Sequence, residues 1–428
     1  MKVLMFGWEF PPHISGGLGT ACFGLTKGLS KYHDLEVKFV VPKAFGDEDQ
    51  SSARIIGASD VHINKRNINI QGFGKEFNII EVDSILIPYI GEDEYFRILE
   101  KHEHYNQNII NDNFEGKFSF SGSYGASLYA EIFNYSIVAR TIALENDFDV
   151  IHAHDWLTYP AGIAAKQISG KPLVIHVHAT DFDRSGGNVN PKVYEIEKQG
   201  MDIADKIITV SNWTRDIVIN KYGINPDKVV TVYNAVEPIS DLDKIAIHKG
   251  IDDKIVTFLG RITMQKGPEY FVEAAYKVLQ RMDNVRFVMA GSGDMMNKMI
   301  LRAARLGITN RFHFTGFLSG DDVYQMYSMS DVYVMPSVSE PFGISPLEAA
   351  QTNVPVIISN QSGVSEVLNH AVKIDFWDID AMADAIYGLL NYPALSDMFK
   401  TYGKQEVENL KWETSAGHVR DVYYSVTN

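Results

Sequence analysis

Two glutamates stand eight residues apart, Glu340 and Glu348, shortly after the apolar run Val332–Met335. They flank a glycine turn that predicts the start of a helix, where free amides and the positive dipole end suit a phosphate or a sugar hydroxyl. Carboxylates beside such a turn accept hydrogen bonds from hydroxyl pairs, such as those of a sugar or a ribose. Solvated acids at an ordinary helix start would show the same spacing, so the spacing alone does not decide between the two.

Two cations, Arg261 and Lys266, follow the apolar run Ile255–Leu259 and have Gly260 and Gly267 on either side. When a sugar leaves a nucleotide diphosphate, negative charge builds on the oxygen that was bonded to the anomeric carbon. A bidentate guanidinium and a nearby ammonium stabilise that charge as it develops. Because the chain carries a formal net charge of −15, this pair favours an anion site over a solvated loop.

A glycine-rich turn, Ser15–Gly19, follows the apolar run Val3–Gly7. The paired glycines Gly16 and Gly17 let the backbone approach a ligand closely. The turn lacks the Gly-x-Gly-x-x-Gly spacing of a dinucleotide site, so by itself it is weak evidence of a function.

Two His-x-His pairs, His152 with His154 and His176 with His178, stand at the ends of apolar runs. Alternate residues of a strand face the same side, so each pair is compatible with a metal site of a metal-dependent hydrolase. No third ligand cluster has a clear spacing, although Asp181 and Asp183 stand near. We therefore interpret the pairs as polar strand ends with satisfied imidazoles and predict no metal.

The elements that must position these residues are short apolar runs that alternate with helical patterns. Near-continuous apolar strands of this kind are typical of parallel sheets covered on both faces, and two series in one chain predict an α/β protein with two doubly wound domains. The predicted strands are Val3–Gly7, Val37–Val41, Val150–Ala153, Leu173–Val177, Ile207–Val210 and Val229–Val232, then Ile255–Gly260, Val285–Ala290, Phe312–Thr315, Val332–Met335, Val354–Ile358 and Val372–Ile374.

The predicted domains span residues 1–240 and 250–411, with a polar boundary near 237–253. The segment Trp412–Val426 has helical spacing. Residues 46–123 are predicted to be an insertion in the first domain, with short strands at Phe77–Glu81 and Ile85–Pro88.

Composition limits the function classes. The chain has 428 residues and 45% hydrophobic residues, which suits a two-domain globular protein. Its acidity argues against nucleic acid or an anionic membrane as the main partner, and no run approaches the roughly 18 to 20 apolar residues of a membrane span. The single cysteine, Cys22, excludes an internal disulfide and leads us to expect a cytoplasmic protein.

Taken together, the Arg261…Lys266 and Glu340…Glu348 pairs, the Gly16-Gly17 turn, His178 and the segment 362–366 resemble the GT-B retaining glycosyltransferases. The resemblance covers essentially the whole chain. It is to the family four and family five group, which includes bacterial and archaeal glycogen and starch synthases. It implies two Rossmann-like domains facing a central cleft, with the first domain on the acceptor side, the second binding the nucleotide sugar, and a final helix, 412–428, packing back on the first.

The resemblance also implies a role for each matching position. The catalytic residues would be His178 beside the anomeric centre, Arg261 and Lys266 at the donor diphosphate, and Glu340 at the donor sugar. Further donor contacts would come from Gly16, Gly17, Asn234, Phe342, Gly343, Ile344 and Glu348, the last at the ribose. Glu9 and Asp155 would lie on the acceptor side. Attack on the front face, with the departing phosphate taking the acceptor's proton, would require no metal and no protein nucleophile.

The expected function is transfer of glucose from ADP- or UDP-glucose to an α-1,4-glucan, with an oligomeric state that the sequence leaves open. Two positions differ from glycogen synthases, because Ile14 stands where they carry a lysine, and Asn-Ala-Val-Glu at 234–237 replaces Asn-Gly-(Val/Ile)-Asp. The alternative is therefore a family-four enzyme with a small-molecule, lipid or cell-surface acceptor. Other classes left open are a nucleotide-sugar epimerase, a metal-dependent hydrolase and a non-catalytic sugar-binding module.

Overall fold

The computed structural model describes residues 1–14, 16–63, 116–125, 127–239, 247 and 249–427. The predicted strands Phe77–Glu81 and Ile85–Pro88 lie outside the described residues, as does part of the predicted boundary. The described chain forms two parallel sheets covered by helices, which confirms the predicted α/β fold class. Among the described helices, none combines the length and the apolar character needed to span a bilayer.

The first sheet has seven parallel strands in the order β3-β2-β1-β4-β5-β6-β7. They are β1 (Lys2–Phe6), β2 (Glu36–Val41), β3 (Arg54–Gly57), β4 (Val150–His154), β5 (Leu173–Val177), β6 (Lys206–Thr209) and β7 (Val229–Thr231). Its helices are α1 (Gly17–Leu29), α2 (Leu128–Glu145), α3 (Tyr159–Ser169), α4 (Asp181–Ser185), α5 (Pro191–Ile203) and α6 (Asn212–Tyr222). Every residue of β4 and β5 is buried, because helices cover both faces of the central strands.

The second sheet has six parallel strands in the order β10-β9-β8-β11-β12-β13. They are β8 (Lys254–Leu259), β9 (Val285–Ala290), β10 (Phe312–Gly316), β11 (Val332–Met335), β12 (Val356–Ser359) and β13 (Val372–Ile374). The later helices are α7 (Pro268–Leu279), α8 (Met296–Arg305), α9 (Asp321–Met329), α10 (Ser345–Gln351), α11 (Ile379–Asn391), α12 (Pro393–Glu408) and α13 (Trp412–Thr427).

Strand β3 was not predicted. It lies in the region 46–123, which the sequence indicated to be an insertion, yet it pairs in parallel with β2 from Lys38↔Arg54 to Val41↔Gly57. The start of that region therefore extends the first sheet by one edge strand. Only Ile55 and Ile56 of β3 are apolar side chains, and they stand between an exposed arginine and a glycine, so β3 lacks the apolar run that marked the predicted strands.

The last helix, α13, packs on α1 of the first sheet. The indole of Trp412 lies over Gly24, where an added Cβ would come within 2.2 Å of an indole carbon, and Ala416 lies against Gly28. Tyr423 reaches farther in and pairs with His152 at 2.6 Å. Glycines on α1 therefore make the space that lets α13 approach the sheet.

Replacing Gly24 by alanine is expected to destabilise the protein by about 1–3 kcal/mol, because the new methyl group must displace a rigid, buried indole. The measurement is the shift of the urea unfolding midpoint. Gly388→Ala, within α11, is the matched control, since its nearest neighbour would be 3.8 Å from the new Cβ. There the gain in helix propensity should leave stability unchanged or raise it. Equal effects of the two substitutions would contradict this account of the packing of α13.

Candidate active site

The predicted donor side begins at a short 3₁₀ turn, Met264–Lys266, after β8. The Lys266 ammonium forms a salt bridge with the Glu340 carboxylate, and both side chains are largely buried. The hydroxyl of Ser337 donates to the same carboxylate at 3.1 Å. Gly267 ends the turn with φ +66°, and a Cβ there would lie 2.0 Å from the carbonyl oxygen of Pro336, so the turn requires glycine. The structure thus brings a cation and a carboxylate from two separate motifs into direct contact.

Arg261 lies beside this pair. Its guanidinium donates to the side chain of Gln265 at 3.5 Å, and the Gln265 amide donates to the carbonyl of Ser339 at 3.1 Å. The predicted anion-binding pair and the Glu340 segment are therefore joined by one buried glutamine.

Glu348 stands on α10, one turn beyond the glycine turn. Gly343 has φ +99°, a conformation that favours glycine, and Phe342 packs in the core of the second sheet. Burial raises the pKa of Glu348 to about 7. Its carboxyl group is therefore poised to change charge near neutral pH.

On the first sheet, His178 follows β5. Its backbone amide donates to the Asp155 carboxylate at 2.7 Å, and its ring Nε2 lies 2.9 Å from Nδ1 of His154. Burial lowers the pKa of His178 to about 3, so the ring is neutral at physiological pH. Asp155, predicted on the acceptor side, holds the backbone that carries His178, and a contact with an acceptor stays a prediction.

A buried charge network fixes this loop. Arg184 pairs with Asp155 at 3.4 Å and with Glu197 at 3.1 Å, and all three side chains are at most 7% exposed. Glu197 also accepts from the amide of Asp181 at 3.0 Å and from the hydroxyl of Tyr222. Burial raises the pKa of Asp155 to about 6 and that of Glu197 to about 7, while Arg184 opposes both shifts. The Arg184 guanidinium thus forms salt bridges with two buried carboxylates.

The loops of the two sheets meet directly. The Ser339 hydroxyl, beside Glu340, donates to the Asp183 carboxylate at 2.5 Å. The hydroxyl of Ser211 donates to the carbonyl of Pro341 at 2.5 Å. The carboxylate of Glu366 accepts from the first two amides of α6 at 2.9 and 2.8 Å. The His178 loop and the Lys266–Glu340 pair therefore face each other at one cleft.

The remaining predicted residues lie around the first sheet. Glu9 accepts from the amide of Gly19 at 3.2 Å, and both ends of that bond are buried. Apart from the adjacent residues and the backbone of α1 itself, no described atom lies within 4 Å of a Cβ built at Gly16 or at Gly17, so a ligand has room to approach this turn. Asn234 is buried in the segment after β7.

Two family models and a set of relatives match the sequence of this chain. A family model described as Glycosyltransferase Family 4 matches residues 115–239, and one described as Glycosyl transferases group 1 matches residues 241–406. A relative from Methanocaldococcus jannaschii, named as an uncharacterized glycosyltransferase, is 29% identical over 99% of this chain and 98% of its own length. The chain is a glycosyltransferase of the GT-B type.

Two further likenesses bear on the glycosyltransferase. Glycogen synthase of Mycobacterium tuberculosis is 23% identical over 99% of this chain and 94% of its own length. The solved sucrose-phosphate synthase of Thermosynechococcus elongatus has a TM-score of 0.72 at 16% identity and covers 99% of this chain and 98% of that one. The second likeness confirms the fold, and neither fixes the acceptor.

Sequence reasoning missed the role of Asp183, which joins the glycosyltransferase's two loops through Ser339, and the roles of Arg184 and Glu197, which fix the His178 loop. The segment Asp181–Arg184 stands only three residues after His178, which was the available signal. For Glu197 the sequence offered no signal, because a single glutamate in a helical segment is usually a solvated surface residue.

The four histidines of the two His-x-His pairs lie together on one face of the glycosyltransferase's first sheet. Their imidazoles were predicted to be satisfied, and for five of the eight ring nitrogens this is wrong. Those five are buried without a hydrogen-bond partner among the described residues: Nε2 of His152 and of His154, Nδ1 and Nε2 of His176, and Nδ1 of His178. Since β4 and β5 are adjacent in the sheet, both pairs turn the same way, which the sequence could not show.

Proposed function

We propose that the protein is a retaining glucosyltransferase that extends an α-1,4-glucan from ADP- or UDP-glucose. The observation that carries the proposal is the Lys266–Glu340 pair, which faces the His178 loop across the Ser339–Asp183 contact. The two family models and the likeness to glycogen synthase support it. From the single buried cysteine, Cys22, we infer a cytoplasmic location.

In the proposed reaction the donor diphosphate binds between Arg261 and Lys266. Lys266 exchanges its salt bridge to Glu340 for one to phosphate, and Glu340 becomes free to accept hydrogen bonds from the donor sugar. As the bond from the anomeric carbon to the diphosphate oxygen breaks, both cations stabilise the negative charge on that oxygen.

The acceptor hydroxyl then attacks from the face that the diphosphate leaves. A phosphate oxygen takes the hydroxyl proton as the new glycosidic bond forms, so the configuration is retained without a protein nucleophile or a metal. The neutral His178 ring, held by Asp155 through its backbone, borders the anomeric centre.

The second candidate is a family-four enzyme with a small-molecule, lipid or cell-surface acceptor. The identity of residue 14 favours it, since Ile14 packs against the first turn of α1, where an added Cβ at Gly19 would lie 2.4 Å from its side chain. An apolar side chain there cannot supply the cation that glycogen synthases carry at this position.

The test is to incubate the full chain with radiolabelled ADP-glucose or UDP-glucose and either glycogen or a panel of sugar-phosphate and lipid-linked acceptors. The proposal expects label in glycogen that an α-1,4-specific glucosidase releases, and an α-anomeric signal for the new linkage by proton NMR. Label only in a small or lipid acceptor would replace the first candidate by the second. A β-anomeric product would contradict retention.

Binding of the intact nucleotide sugar is expected to strengthen as pH rises from 6 to 8. The pKa of Glu348 is raised to about 7 by burial, so the group is mostly protonated below that pH and mostly ionised above it. The proposed ribose contact uses the ionised form, which accepts both hydroxyls. The ionised fraction rises about tenfold over this interval, and the donor Kd should fall by a similar factor.

Calorimetric titration with UDP-glucose or ADP-glucose measures this effect, since the diphosphate of an intact nucleotide sugar does not itself titrate here. Glu348→Gln should bind weakly with a flat pH profile. Glu408→Gln, at an exposed site on α12, is the control and should keep the slope. A slope that persists in Glu348→Gln would show that another group titrates.

A further inference from the structure

Behind His178 lies a cluster of three imidazoles that the proposed reaction does not use: His152, His154 and His176. Their exposed fractions are 0%, 0% and 2%. The ring centroids are 4.2 Å apart for His152–His154, 5.4 Å for His152–His176 and 5.3 Å for His154–His176. One ligand nitrogen of each residue lies within 4.8 Å of those of the other two.

The cluster buries polar atoms at a cost that nothing in the described chain offsets. Nε2 of His152, Nε2 of His154 and both ring nitrogens of His176 have no hydrogen-bond partner among the described residues. An unpaired polar group inside a protein is unfavourable, because it has lost its hydrogen bonds to water. Several such groups on the helix-covered face of a sheet therefore point to a ligand that satisfies them together.

The other nitrogens of the cluster are already oriented. Nδ1 of His152 lies 2.6 Å from the Tyr423 hydroxyl, and Nδ1 of His154 lies 2.9 Å from Nε2 of His178. Metal-bound histidines commonly use one ring nitrogen for the metal and the other for such an outer hydrogen bond, which fixes the ring. In His152 and in His154, the ring nitrogen that remains available for a metal is therefore the buried Nε2.

We propose that His152, His154 and His176 bind one divalent transition-metal ion of the zinc type. Two ligands come from a His-x-His pair on β4 and the third from β5, where His176 is the register partner of His154. Three imidazoles suit zinc, whose nitrogen ligands lie at about 2.0–2.1 Å in a tetrahedral arrangement. Such ligands are about 3.3 Å from one another, so nitrogens that lie within 4.8 Å of one another must approach by up to about 1.5 Å, and the near-parallel rings must turn toward the ion.

The role of this ion is structural. All three ligands are buried between the first sheet and the helices α1 and α13, so a substrate cannot reach the ion, and the fourth position of the tetrahedron is left to a water or another small ligand. The ion joins β4 to β5 and holds the ring of His154, which in turn contacts the ring of His178. It therefore fixes the floor of the cleft without entering the transfer reaction.

The test uses the untagged full chain, stripped of metal and titrated with Zn²⁺ in competition with a chromophoric chelator. One equivalent is expected to bind tightly and to raise the melting temperature. His152→Asn and His154→Asn should each lose this equivalent, because asparagine places an amide near Nδ1 but has no counterpart of Nε2. His313→Asn, at an exposed position on β10, should keep it.

Co²⁺ serves as a second probe of the unaltered protein, so the result does not depend on whether the variants fold. An intense visible absorption typical of a tetrahedral site is expected, and it should disappear when Zn²⁺ is added. The proposal is overturned if Co²⁺ gives only the weak octahedral spectrum, or if the histidine variants and His313→Asn bind zinc equally. Neither readout uses transferase activity, so the outcome is separate from that of the proposed function.

Discussion

Replacing Lys266 by alanine is expected to lower kcat about 100-fold, equivalent to about 3 kcal/mol of transition-state stabilisation. The ammonium is held at the cleft by its salt bridge to Glu340, and the proposed reaction moves it to the leaving diphosphate. Because the charge on that oxygen grows as the bond breaks, the loss should appear in kcat more than in KM. Arg261→Ala should behave in the same way.

The matched control is Lys277→Ala, which removes a lysine from the same domain. Lys277 pairs with Asp380 across the exposed surface of α7 and α11, with 41% of its side chain exposed. Its kcat should stay within about twofold, since an exposed ion pair contributes little. Steady-state release of nucleoside diphosphate measures both variants. A kcat for Lys266→Ala close to that of the control would contradict the leaving-group role and favour a non-catalytic sugar-binding module.

Replacing Arg184 by leucine is expected to lower the free energy of unfolding of the first domain by about 3–5 kcal/mol. Removal of the guanidinium leaves two carboxylates, Asp155 and Glu197, buried beside an apolar side chain. The backbone of His178 loses its fixed position at the same time, since Asp155 holds it. Activity should therefore fall together with stability.

The pH dependence of the Arg184→Leu defect has a definite sign. Burial raises the pKa of Asp155 to about 6 and that of Glu197 to about 7, and Arg184 opposes both shifts. Without it both values rise, so the folded variant retains protons that the unfolded chain releases, and its stability falls as pH rises. The destabilisation should be smaller at pH 5 than at pH 8.

Urea unfolding at the two pH values measures the Arg184→Leu defect. Lys198→Ala, which removes an exposed pair with Asp202 on α5, is the control and should cost less than about 1 kcal/mol. A defect for Arg184→Leu that is equally small, or one that grows as pH falls, would show that the network is not held by this charge.

The architecture was largely predictable because it rests on local patterns. Strand β5 has the predicted bounds, Leu173–Val177. Its nearly continuous apolar sequence is typical of a strand that is buried on both faces of a parallel sheet. Strand β3 was missed because its two apolar residues, Ile55 and Ile56, stand between an exposed arginine and a glycine. The sequence offered no apolar run there.

The positions of the candidate donor-side residues were predictable where a single short motif contains them, and their roles stay predictions. Arg261, Lys266 and Glu340 each stand in a short segment after a strand, and the fold brings those strand ends together. The network around Arg184 was not predictable, because Glu197 comes from a later helix. The pairing of Tyr423 with His152 joins residues 271 positions apart. At that separation the spacing of residues along the sequence cannot predict a contact.

The most direct test of the central claim is release of nucleoside diphosphate from a panel of nucleotide sugars, each with and without glycogen or a small acceptor. The account predicts acceptor-dependent release from ADP-glucose or UDP-glucose by the unaltered protein and about 100-fold slower release by Lys266→Ala. Release from no donor with any acceptor would contradict the account.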